Sequence, residues 1–192
     1  MEDLLSKLPR EITIIGGNLN HPALDGFNTL DLLRDPFYVS RNAAITAHCA
    51  LGLILSELPV TLPNQKVLIL GFGRIGKCLA HLLGNVGANI TVAARKETDR
   101  AMAEALGFES VVPGQWNLAS YRVIINTVPA AMLDGEDCDP NTLLLDLASL
   151  RGIKGDRVNW ARGLPGKCVP ETSGKLIAAT VRRLIFGKES TI

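Results

Sequence analysis

Residues 67–83 read Val-Leu-Ile-Leu-Gly-Phe-Gly-Arg-Ile-Gly-Lys-Cys-Leu-Ala-His-Leu-Leu. Four apolar residues, a Gly-x-Gly-x-x-Gly turn and an amphipathic run follow without a gap. A short continuous apolar run is how a strand buried on both faces reads. The run after the turn reads as a helix over about 74–85. Gly71 allows the tight turn out of the strand, Gly73 lets backbone approach a pyrophosphate, and Gly76 lets the helix pack closely. Arg74 and Ile75 complete the turn. The helix N-terminus offers unpaired N–H groups and a positive dipole end to phosphates. The stretch predicts a dinucleotide-binding strand–turn–helix; the alternative is a turn whose glycines serve packing alone.

The rest of the chain extends this unit. Of 192 residues, 47% are hydrophobic and the formal net charge is +1, enough for one full domain and an appendage. Strands are expected near 67–70, 90–93, 109–112, 123–125, 142–147 and 158–160. Helices are expected at 97–106 and 172–186, with short helical turns near 116–121 and 130–133. Such alternation predicts an α/β, Rossmann-type doubly wound parallel sheet with right-handed crossovers. Residues 11–15 read as a strand and 18–41 as irregular connection. Residues 42–57 read as an amphipathic helix capped by Ser40 or Asn42 and stopped by Pro59. The expected organisation is a partial lobe at 1–41, a linker helix at 42–62, a dinucleotide-binding domain at 63–187 and a tail at 188–192.

Near-zero charge and 5% aromatic residues argue against nucleic acid or an anionic membrane as partner. The apolar region 45–62 is broken by His48, Glu57 and Pro59 and does not read as a membrane span. The N-terminus lacks a signal-peptide core. Cys49, Cys78, Cys138 and Cys168 form no C-x-x-C pair, and the histidines are scattered. The expectation is four free thiols in a reducing cytoplasm and no metal site.

Ligands of open parallel sheets bind beyond the strands' C-terminal ends. After the 90–93 strand come Ala94, Arg95 and Lys96, with no carboxylate to bond an NAD ribose. A guanidinium there suits the 2′-phosphate of NADP, so NADP is favoured and NAD stays possible. The alternative is a solvated helix start. Asn126, Thr127, Val128 and Pro129 follow the next central strand and suit a wall beside a nicotinamide ring, or form an ordinary turn. Asp146, Ala148 and Ser149 follow the 142–147 strand; Asp146 is a candidate catalytic or coenzyme-side residue, or a structural cap. Gly163-Leu-Pro-Gly166 reads as a rigid loop. Arg151 and Lys167 are candidates for holding a substrate carboxylate, or surface charges. Of the histidines, only His48 is placed to reach the cleft as a catalyst. No serine elbow, zinc-binding histidine pair or phosphate-transfer loop is found, which leaves hydride transfer as the enzymatic option.

These residues carry a resemblance. The 42–55 helix followed by the glycine turn is similar to the linker helix and coenzyme domain of D-2-hydroxyacid dehydrogenases. Residues 67–76, 87–95, Ile125-Asn-Thr-Val-Pro129, Leu145-Asp-Leu-Ala-Ser149 and Gly163-Leu-Pro-Gly-Lys167, in that order, resemble the family of the dipicolinate synthase A component. The resemblance implies oxidation of dihydrodipicolinate to dipicolinate, a small dicarboxylate substrate, NADP as hydride acceptor, a flavoprotein-like B component of dipicolinate synthase as partner, and a role in sporulation. A homodimer is expected from the exposed edge of a shortened N-terminal segment. The chain departs from the family in three places. Most of the N-terminal lobe is lacking, His48 stands at a usually acidic position, and no Pro-Gly-Gly follows Ser149. The Arg-Glu-His set of the D-2-hydroxyacid dehydrogenases cannot be placed. A second class of reading is a non-catalytic dinucleotide-binding regulatory or scaffold module. A third is an oxidoreductase acting on another cyclic imine or enol acid.

Overall fold

A computed structural model describes Leu5 and residues 7–187; the expected tail at 188–192 lies outside them. The chain divides into one unit of Met1–Asn42 with Pro170–Ile192, and a second of Ala43–Val169. The C-terminal helix, expected in the dinucleotide domain, groups instead with the N-terminal segment. The linker helix is divided between the units.

In the first unit, β1 (Thr13–Gly16) pairs in parallel with β2 (Asn28–Asp31). The stretch expected to be irregular therefore holds a strand and two short 3-10 turns, Pro22–Leu24 and Leu32–Arg34. The polar Asn-Thr-Leu-Asp of β2 has no alternating pattern to announce it; its pairing is non-local. The Asp31 carboxylate accepts the N–H groups of Asn18 (3.2 Å), Leu19 (3.1 Å) and Leu33 (2.9 Å). Helix α1 (Pro36–Glu57) begins earlier than the residue 42 expected. Its cap is Asp35, whose carboxylate accepts the Tyr38 N–H at 2.7 Å, with proline at the first helical position. Ser40 is inside the helix and donates to the Pro36 carbonyl (2.8 Å). Asp35 also pairs with Arg183 at 2.7 Å, on the C-terminal helix Pro170–Phe186.

The second unit is built on six parallel strands. They are β3 (Lys66–Leu70), β4 (Asn89–Ala93), β5 (Glu109–Val111), β6 (Val123–Asn126), β8 (Leu143–Asp146) and β10 (Asn159–Trp160). Their spatial order is β10-β8-β6-β3-β4-β5. The order reverses between β3 and β6, as in a doubly wound dinucleotide fold. Helices α2 (Arg74–Asn85) and α3 (Glu97–Ala105) connect β3, β4 and β5. Between β6 and β8 the crossover carries no α-helix. It holds β7 (Leu133–Asp134), paired in parallel with β9 (Ile153–Lys154), where a short helix or turn is expected at 130–133. The expected turn at 116–121 is a 3-10 turn at Leu118–Ser120.

Alternation along β3 feeds two apolar clusters. Val67 and Ile69 join Ala47, Cys49, Ala50 and Ile54 of α1 and Leu79, Ala80 and Leu83 of α2. Leu68 and Leu70 join Ile124, Leu144, Ile153 and Val158, with Trp116, Tyr121 and Met132 packed against them. Leu68, Ile69, Leu70, Ile124, Ile125 and Leu144 have no exposed surface. Burial stabilises each such side chain by about 1.5–3 kcal/mol, which fixes the strand ends in place.

Candidate functional site

Strand register aligns the C-terminal ends. Val111, Ala93, Leu70, Asn126, Asp146 and Trp160 form one row across the sheet. The cleft opens beyond the middle of this row, with a volume of about 600 Å³, in the range of small-molecule sites.

Three glycines build its floor, each for a different reason. Gly71 has φ +94°, and a Cβ there would lie 2.6 Å from Val128 Cγ2 and 2.8 Å from Thr127 Oγ1. Gly76 is buried, and a Cβ on it would collide with the Gly71 carbonyl oxygen. Gly73 faces open space, with no atom within 4 Å of its would-be Cβ. It is also the N-cap of α2, with no side-chain cap. The turn is pinned from both sides. The Gly71 N–H donates to the Ala93 carbonyl (2.8 Å), and the Leu70 carbonyl accepts the Thr127 N–H (3.0 Å) and hydroxyl (2.8 Å). The first-turn N–H groups of α2 are left for an anion, with the positive end of the helix dipole behind them.

The end of β4 supplies the charge. Exposed Arg95 and Lys96 line the cleft beside Ala94 and Asp99. Arg100 shapes this corner, since one nitrogen of its guanidinium donates to the carbonyls of Ala94 and Arg95, both at 2.8 Å. At the end of β6, Thr127, Val128 and Pro129 form the facing wall. Asn126 lies beneath them, fully buried. Its amide nitrogen donates to the Val128 carbonyl (2.9 Å) and to Asp146 (3.0 Å), and its oxygen accepts the Val128 N–H (3.0 Å). Asn126 frames the wall rather than lining it.

Asp146 is likewise fully buried. One carboxylate oxygen accepts Asn126 Nδ2 and the Ala148 N–H, both at 3.0 Å. The other accepts the N–H groups of Gly152 (2.7 Å) and Ile153 (2.9 Å). With four donors its acceptor capacity is spent. The geometry gives it the role of holding the 146–153 loop, in place of the catalytic or coenzyme contact expected of it.

The other candidates lie off the cleft wall. Arg74 is exposed and Ile75 half-buried in the first turn of α2. Ala148 is buried and Ser149 exposed. The Arg151 guanidinium folds back onto the carbonyls of Ile153 (3.1 Å) and Gly155. Gly163-Leu-Pro-Gly166 opens a short helix, α4 (Leu164–Cys168), instead of a rigid loop, and Lys167 is exposed on it. His48 is exposed on α1. Lining residues that the sequence reading missed are Phe72, Ala93, Asp99, Pro113, Gly114, Trp116 and Ala130 to Met132. Pro113-Gly114 follows β5 closely, so the strand-end rule would have found it. The place of Met132 depends on the irregular crossover and had no signal. Among the described residues no cluster of His, Cys, Asp and Glu is placed to hold a metal ion. No helix among them is long and apolar enough to cross a membrane.

Residues 56–134 match the family model of the D-isomer specific 2-hydroxyacid dehydrogenase NAD-binding domain. The A component of dipicolinate synthase from Bacillus subtilis is 28% identical over 157 residues, covering 75% of this chain and 53% of that protein. The chain thus aligns with about half the length of this relative. The fold matches that of the dipicolinate synthase A component from Bacillus halodurans with a TM-score of 0.88 at 24% identity, covering 97% of this chain and 70% of that one. A transhydrogenase from Sinorhizobium meliloti shares the fold at TM-score 0.80 and 15% identity, covering 96% of this chain and 70% of that one. The chain is therefore similar to the A component of dipicolinate synthase, and residues 56–134 are similar to the NAD-binding domain of D-isomer specific 2-hydroxyacid dehydrogenases.

Proposed function

We propose that the chain is an NADP-dependent oxidoreductase component of the dipicolinate synthase type, which oxidises dihydrodipicolinate to dipicolinate during sporulation. The observation that carries this reading is the basic corner at the end of β4, set beside a glycine turn open to a pyrophosphate. The residues fit the coenzyme. Gly73 leaves room for the phosphates, Arg95 and Lys96 suit the 2′-phosphate, and Thr127 to Pro129 suit the nicotinamide end. Pro113, Trp116 and Met132 offer an apolar wall for the purine. NADP, when bound, supplies the hydride acceptor. Loss of a hydride and a proton leaves an aromatic ring, so alignment is the main task left to the protein. Arg151 and Lys167 are assigned to the substrate carboxylates, outside the coenzyme cleft, and His48 to the proton. By the same resemblance the reading includes a flavoprotein-like B component; the edge of the N-terminal segment adds a homodimer, and the free thiols a cytoplasmic setting.

One observation favours a non-catalytic dinucleotide-binding module instead. The ionisable side chains lining the cleft are Arg95, Lys96 and Asp99, and the buried Asp146 has no free acceptor. Titrating NADPH and NADH into the protein tests the shared part, with NADPH expected to bind more tightly. Dihydrodipicolinate generated in situ, with and without a candidate B component, then separates the readings through dipicolinate absorbance. Product in either arm supports the enzyme; no product in any combination overturns it. Turnover confined to another cyclic imine or enol acid would reassign the substrate.

A further inference from the structure

From Ala93 to Lys96, where β4 runs out into α3, every main-chain carbonyl already accepts a donor. The Ala93 carbonyl accepts the Gly71 N–H (2.8 Å), and that of Lys96 accepts the N–H groups of Asp99 (3.1 Å) and Arg100 (3.2 Å). The two between them, Ala94 and Arg95, are both held by one guanidinium nitrogen of Arg100, at 2.8 Å each. Arg100 is the fourth residue of α3. Helical side chains lean toward the helix N-terminus, which brings its guanidinium back over the strand end. A cation in a first turn opposes the helix dipole, so helix stability does not account for it. Arg100 is half-buried and lies behind the cleft wall, whereas Arg95 and Lys96 are exposed in the lining.

We propose that Arg100 is a specificity-determining positioning residue, which makes the end of β4 a site for a phosphate instead of a ribose hydroxyl. The inference rests on the reading of this corner as the 2′-phosphate site, and it names the residue that sets the choice. An open carbonyl accepts from a hydroxyl and repels a phosphate oxygen. With the Ala94 and Arg95 carbonyls consumed, Arg95 and Lys96 offer the corner donors through their side chains. The one carboxylate among the lining residues is Asp99. The bond to the Arg95 carbonyl also fixes the backbone from which the Arg95 side chain leaves. Its guanidinium therefore starts from a set position and loses less freedom on binding. Arg100 acts through Arg95 and touches no coenzyme atom itself.

The test is titration of NADPH and NADH into the wild-type chain, Arg100→Met, Arg100→Lys, Arg95→Gln and the Arg95→Gln/Arg100→Met pair. Arg100→Met keeps the stem and removes the donors. It should weaken NADPH about 5- to 10-fold and change NADH by less than about 2-fold. Arg100→Lys, whose ammonium can donate to both carbonyls, should keep most of the wild-type preference. In the Arg95→Gln background, Arg100→Met should weaken NADPH by less than about 2-fold more. Equal weakening of both coenzymes by Arg100→Met leaves a merely structural role and overturns the proposal. Full additivity with Arg95→Gln leaves a through-space charge and overturns it too. A wild type that prefers NADPH, with the preference intact in Arg100→Met, overturns this inference alone. A wild type without the preference overturns the 2′-phosphate reading and this inference with it. Should Arg100→Met fail to melt cooperatively, Arg100→Gln takes its place under the same criteria.

Discussion

The ends of β4 and β8 stand in the same row of the sheet, and both carry charge, yet they do opposite work. At β4 the cations Arg95 and Lys96 are exposed and face the cleft. The backbone beneath them is held by Arg100. At β8 the carboxylate of Asp146 is fully buried, with four donors filling it. A charge at a strand end is thus free for a ligand only where its own hydrogen-bonding capacity is left open. Where local backbone consumes it, the charge is scaffold.

Breaking that contrast is most direct at Asp146. Asp146→Ala leaves three backbone N–H groups and the Asn126 amide without their acceptor. Urea denaturation should show a loss on the order of 3–5 kcal/mol. Asp146→Asn should also destabilise, because an amide nitrogen would face donors. A well-folded Asp146→Asn that binds NADPH normally but loses turnover would restore the catalytic role. At the other end, Arg95→Asp should leave stability within about 0.5 kcal/mol, as an exposed site allows. NADPH affinity should fall on the order of 10- to 100-fold by titration, with NADH affected far less. Equal weakening of both coenzymes would remove the 2′-phosphate role and make β4 and β8 alike.

The smallest effect compares a carboxylate held by backbone with one held by a cation. Burial pushes the Asp35 carboxyl up. Contact with Arg183 and the Tyr38 N–H outweighs this and holds it below its ordinary value. A lowered folded-state value means the stabilisation is present above the unfolded value of 3.8 and lost as pH falls through the folded one. Asp35→Asn should therefore flatten the fall in urea midpoint below about pH 4, leaving the slope between about pH 5 and 8 unchanged. An unaltered acid slope would show that the Arg183 contact does not hold the carboxyl down.

Local patterns made much of this molecule legible. The 67–85 stretch reads as strand, turn and helix because an apolar run, three glycines and an amphipathic run are all local signals. The structure places them at Lys66–Leu70 and Arg74–Asn85. The basic corner was readable for the same reason, since Arg95 and Lys96 closely follow a buried strand. The start of α1 lies at Pro36, ahead of the apolar pattern that begins after residue 42, although its signal, Asp35-Pro36, is local. By contrast β2, β7 and β9 had no local signal, because short parallel pairs form only when distant segments meet.

Residue order alone fixed the alternation of strands and helices and the position of the glycine turn, since backbone freedom and apolar periodicity act over a few neighbours. Tertiary structure decided which strand-end polar groups remain available. Asp146 and Asn126 satisfy each other across paired strands, twenty positions apart. Whether such a group faces a ligand or supports the fold depends on donors that arrive from elsewhere in the chain.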